Sequence, residues 1–128
     1  MPRRATQPVG RLGEAVAARF LERRGLTIVA RNVRSRLGEI DLVARDGPSL
    51  VFVEVKARVY GAPDPPQAGV DGRKQARLAR LALGYLARHR PRELRCRFDV
   101  VAVTLDPAGG ALRVDYFPSA FGVEAADG

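Results

Sequence analysis

Apolar residues recur along this chain in two rhythms. From about Arg11 to Arg24, Leu12, Val16 and Phe20 with Ala17 and Leu21 fall on one arc of a 3.6-residue period, and Gly25 follows as a stop, which predicts a helix. Leu26 to Asn32 (LTIVARN) reads as a first strand, followed by a basic connection through Arg31, Arg34 and Arg36. Between Leu37 and Arg58 the rhythm changes to period two. Two apolar runs flank Asp46-Gly47-Pro48-Ser49, a strong turn signal, and predict an antiparallel β-hairpin. Val59 to Val70 is rich in Gly and Pro and reads as irregular. A second helix is predicted from Asp71, its N-cap, to Arg90, with Pro91 as the stop. Leu78, Leu81, Ala82, Tyr85, Leu86 and His89 make its buried face, and Arg73, Arg77, Arg80 and Arg88 lie on the opposing arc. Arg95 to Leu105 and Ala111 to Phe117 are strands four and five, joined by a turn at Asp106 to Gly110. The expected organisation is a flexible basic arm over residues 1–9, one domain over 10–117 and a tail over 118–128.

Polar groups interrupt the hairpin in a pattern of their own. On its first strand Glu39 and Asp41 share one face while Ile40 and Leu42 take the other. On the second, Glu54 and Lys56 oppose Val51, Val53 and Val55. If residues 46–49 close the hairpin, Asp41 stands opposite Glu54 and Glu39 opposite Lys56. Two carboxylates across a ladder have Cβ atoms about 5 Å apart and destabilise the sheet unless something offsets their repulsion. A divalent cation such as Mg²⁺, bound by one or two carboxylates plus water and phosphate oxygens, does so. A solvated ion-pair ladder on an exposed sheet face accounts for the same four residues, and the pattern alone leaves both readings open.

The ordered motifs resemble a known family. Asp41, a hairpin, then Glu54-Val55-Lys56 looks like the PD-(D/E)xK nuclease motif, with Ile40 in place of the proline. Gly13-Glu14, Gly38-Glu39-Ile40-Asp41-Leu42, Val51 to Lys56, and Arg97-Phe98-Asp99-Val100-Val101 together resemble the YraN-type predicted endonuclease family, relatives of archaeal Holliday-junction resolvases. The likeness covers residues 10 to 117. It implies an α/β fold, a restriction-endonuclease-like αβββαββ core in which a central mixed β-sheet is flanked by helices. It also implies a metal-dependent DNA endonuclease, with a preference for branched or structured DNA, acting as a homodimer. Asp41, Glu54 and Glu14 would bind Mg²⁺ or Mn²⁺, Lys56 would orient or deprotonate the attacking water, and Glu39 would hold Lys56. Taken alone, Glu14 is an edge glutamate in a helix's first turn, a position suited to the helix dipole or to plain solvent exposure.

Composition narrows the alternatives. At 128 residues the chain is one domain. No apolar run approaches the roughly 20 residues a bilayer requires, and the N-terminal MPRRATQPVG is no signal peptide, so a cytoplasmic protein without a membrane span is expected. One cysteine, Cys96, and one histidine, His89, leave no plausible zinc site and no disulfide. The net charge of +8 and pI near 10.9 favour a polyanion, with nucleic acid the first expectation and an anionic membrane surface the second. Candidate DNA contacts are Arg34, Arg36, Arg73, Lys74, Arg77 and Arg80, each of which also reads as a solvated surface charge. Of the 22 basic residues only Lys56 and Lys74 are lysine. Asp99, inside the apolar run RFDVVAV, reads as buried against an arginine or as a support behind the acids. Two other functions remain open: a nucleic-acid-binding module that keeps the fold without cleavage, and an interaction subunit whose basic face docks an acidic partner.

Overall fold

The computed structural model describes residues 9–63, 72–91 and 95–121. Helix α1 (Val9–Arg23) is followed by β1 (Thr27–Ser35), β2 (Gly38–Asp46) and β3 (Ser49–Val59), then α2 (Gly72–His89), β4 (Arg95–Leu105) and β5 (Ala111–Phe121). The five strands form one sheet in chain order. β3 and β4 are parallel and every other neighbouring pair is antiparallel. A parallel pair needs a long crossover, and α2 supplies it. This is the αβββαββ, restriction-endonuclease-like arrangement with a mixed sheet between helices.

The two helices cover opposite faces. Ala17, Ala18 and Leu21 of α1 pack on Leu42, Val53 and Val101, while Leu78, Leu81 and Tyr85 of α2 pack on Val43, Phe52 and Phe98. α1 ends as expected at Gly25. The φ of +97° there places the chain in the left-handed region, and the Gly25 and Leu26 amides donate to the Glu22 and Leu21 carbonyls at 3.0 and 3.1 Å, closing a Schellman cap. Asp71, expected to cap α2, lies outside the described residues, as do 1–8, 64–70, 92–94 and 122–128. At the far end of α2 His89 is exposed, with its ring 4.2 Å from that of Tyr85, so it stands at the edge of the face rather than in the core.

Three expectations need correction. β1 continues past Asn32 to Ser35, so Arg34 belongs to a strand and not to a connection. Asn32, at φ +49°, interrupts the alternation, and the β1–β2 register names Arg31↔Leu42 and Val33↔Ile40 on either side of it. On β2, Leu42 faces α1 while Ile40 faces α2, although strict period two puts them together. Finally, β5 runs four residues beyond Phe117. Phe121 stacks on Phe98 at 4.6 Å, and the Ser119 amide donates to Asp99 Oδ1 at 2.9 Å, so tertiary contacts hold a stretch that local pattern leaves loose.

Asp99 is fully buried and fully paired. Arg97 Nε, the Tyr116 hydroxyl and the Ser119 amide donate to it, and Arg97 also reaches Asp46 at 2.9 Å. Of its two readings, burial against an arginine is the one the contacts describe.

Candidate metal centre

Gly13 sets the position of α1. A Cβ on Gly13 would stand 2.5 Å from the Cβ of Ala57 and 3.7 Å from Val55 Cγ1, so only glycine lets the helix backbone rest on β3. The next residue, Glu14, is thereby carried to the rim where α1 meets β1 and β2.

The hairpin register is the one the turn implies: Asp46↔Ser49 through Leu42↔Val53. Beyond Leu42 the ladder stops. β2 continues to pair with β1 through Gly38, and β3 with β4 through Val59, so the two strands part at Asp41. The Val55 amide, deprived of a carbonyl on β2, donates instead to Asp41 Oδ2 at 2.8 Å. Asp41 thus fills the fork between the strands.

Glu14, Glu39 and Asp41 each present a carboxylate oxygen within 4.8 Å of the others. With its nitrogen turned towards the acids, the Asn32 amide donates to Glu14 Oε1 at 2.9 Å and to Glu39 Oε2 at 2.8 Å. Asn32 is a residue the sequence reasoning missed. Its signal is an asparagine in a strand, since asparagine tolerates the left-handed backbone that β-branched neighbours resist. Arg34 Nε lies 3.3 Å from Glu39 Oε1 on the exposed side. Burial, followed by the charge of Glu39, raises the Glu14 pKa. Asp41 is pushed up from 3.8 to about 7, by burial first and then by the charges of Glu54, Glu14 and Glu39.

Glu54 is not part of that cluster. Leu50 and Phe52 face α2, so alternation turns Glu54 and Lys56 the same way. There Glu54 Oε2 meets Lys74 Nζ of α2 at 2.6 Å. The expected opposition of Glu39 and Lys56 does not form, because the ladder has ended before it, and Glu39 engages Arg34 and Asn32. Arg73, Lys74, Arg77 and Arg80 line an open groove of about 440 Å³. Arg36 lies exposed at the β1–β2 turn, away from those four in the chain.

The donor set suits a hard cation. Oxygens on one Mg²⁺ at about 2.1 Å stand up to about 4.2 Å apart, so small carboxylate rotations bring Glu14, Glu39 and Asp41 into range. No helix among the described residues is long and apolar enough to cross a membrane.

A family model described as "Uncharacterised protein family UPF0102" matches residues 13–103, a span that holds Glu14, Asn32, Glu39, Asp41, Glu54, Lys56 and Lys74. A UPF0102 protein of Symbiobacterium thermophilum is 52% identical over 113 residues, 88% of this chain and 95% of its own. One from Pelotomaculum thermopropionicum is 46% identical over 117 residues, 91% of this chain and 98% of its own. Another, from Anaeromyxobacter dehalogenans, is 48% identical over 115 residues, covering 90% and 84%. The chain belongs to uncharacterised protein family UPF0102, the YraN-type family that its ordered motifs resemble.

Proposed function

We propose that this protein is a Mg²⁺- or Mn²⁺-dependent DNA endonuclease. The observation that carries the reading is Asp41, held in the fork between β2 and β3, where burial first and then the charges of Glu54, Glu14 and Glu39 push its pKa up to about 7. A site that costs this much to keep negative favours a cation or a proton.

In this reading Asp41 and Glu14 hold the ion, Glu39 completes the cluster on the α1 side, and Glu54 reaches it across β3. When bound, the ion supplies charge neutralisation at the phosphoryl group and makes water more acidic. Lys56 orients the attacking water and offsets phosphate charge, so no histidine is needed. Arg73, Lys74, Arg77 and Arg80 carry the DNA backbone along their groove, with Arg34 and Arg36 flanking the β1–β2 turn. The preference for branched or structured DNA, and a homodimer able to cut two strands, rest on the resolvase resemblance alone.

A second reading, a DNA-binding module without robust cleavage, draws on the engagement of Glu54 with Lys74 rather than with Asp41. Both are tested by incubating purified protein with linear, single-stranded, flapped and four-way DNA, in Mg²⁺ or Mn²⁺ against chelator. Metal-dependent nicking that falls at least about 100-fold in Asp41→Asn and Glu54→Gln, with DNA binding kept, supports the enzyme. Binding without cleavage on every substrate leaves the module.

A further inference from the structure

Lys74 belongs to two constellations at once. Its ammonium lies 2.6 Å from Glu54 Oε2, and its side chain lines the groove with Arg73, Arg77 and Arg80. Glu54 is only 11% exposed in its side chain and faces α2, whereas Glu14, Glu39 and Asp41 gather without it. The acid needed across β3 is therefore held by a cation that also faces the expected path of the DNA. In a chain with only two lysines, one is Lys74. An ammonium on a flexible stem exchanges partners more readily than a guanidinium fork does.

A largely buried carboxylate stripped of its cation is strongly disfavoured, so Glu54 keeps Lys74 while the groove is empty. A backbone phosphate in the groove competes with Glu54 for the same ammonium. The charge of Glu54 already presses on Asp41; once released it is no longer offset by the Lys74 ammonium, and a divalent cation is what balances it. On the reading of the site as a metal-dependent nuclease, we infer that Lys74 is a positioning residue that withholds Glu54 from the metal until phosphate occupies the groove. By linkage, metal binding and DNA binding then favour one another through this residue.

The test is a double-mutant cycle on Mn²⁺ affinity, read by electron paramagnetic resonance of free Mn²⁺ on the full chain without DNA. Lys74→Met is expected to tighten Mn²⁺ about 5-fold or more when Glu54 is present, and less than about 2-fold in a Glu54→Gln background. A shift equal in both backgrounds means that Lys74 acts only as a nearby charge and overturns the inference, as does weaker Mn²⁺ binding in Lys74→Met. Lys74→Gln, which keeps a donor for Glu54, is expected to give an intermediate shift and serves if the Met variant fails to fold. With a phosphorothioate duplex present, wild-type affinity rises and the Lys74→Met affinity rises less; equal rises overturn the inference. If Asp41→Asn leaves Mn²⁺ binding unchanged, the metal reading itself fails and this inference with it. Loss of binding in Asp41→Asn with an additive cycle removes the inference alone.

Discussion

Asp41 is asked to do two things that conflict. As a backbone substitute it accepts the Val55 amide, which favours its charged form; as a half-buried neighbour of Glu54, Glu14 and Glu39 it is pressed towards the neutral one. Burial and repulsion win, and the carboxyl is pushed up from 3.8 to about 7. The folded protein therefore binds this proton more tightly than the unfolded chain, and Asp41's contribution to stability falls as pH rises from about 4 to about 7. In metal-free buffer at pH 8, Asp41→Asn keeps an acceptor for Val55 and sheds the charge. It is expected to stabilise the fold by on the order of 2 kcal/mol, discounted for partial exposure, with the gain shrinking towards pH 4. Thermal melts across that range check it, and a destabilised variant at pH 8 contradicts it. On the proposed metal reading, divalent cation is expected to reverse the ranking, since it stabilises only a protein that binds it.

Among the elements, the pairing of α1 with β3 and the parting of β2 from β3 build the site. The hairpin register was legible because a four-residue turn and two period-two runs admit few pairings. Where that register ends was not. There a side chain, Asp41, replaces a ladder bond, which leaves no trace in apolar periodicity. Glu54 was likewise readable as an acid of the hairpin, but its partner Lys74 comes from a helix 20 residues further on. Gly13→Ala tests the helix contact. With Ala57 at 2.5 Å from the new Cβ, α1 must lift away, at an expected cost of about 1–3 kcal/mol in urea unfolding. Because lifting α1 also withdraws Glu14, Mn²⁺ affinity is expected to fall in the same variant. Weakened stability with unchanged affinity would separate Glu14 from the ion.

For the molecule as a whole, +8 of net charge is spread unevenly. Four cations line one groove on the α2 side, while three acids gather on the α1 side with Asp41 reaching between. On the proposed reading, this arrangement would draw a polyanion to one face and a cation to the fork between β2 and β3. If DNA tracks the groove, Arg77→Ala combined with Arg80→Ala lowers affinity for all sequences alike. The slope of log K against log salt then becomes shallower by nearly 2, about 0.9 for each phosphate that the protein no longer neutralises. An unchanged slope places the DNA elsewhere.

The chain's own pattern determined the element order, the turn and the pairing of the hairpin near that turn, because each follows from residues close together in sequence. Tertiary structure alone decided which acids meet. β2 turns Ile40 to the opposite face from Leu42 where it pairs beside the left-handed Asn32, a glycine seats α1 on β3, and α2 brings Lys74 to Glu54. Such outcomes depend on how sheet and helices pack across distances that local periodicity does not span.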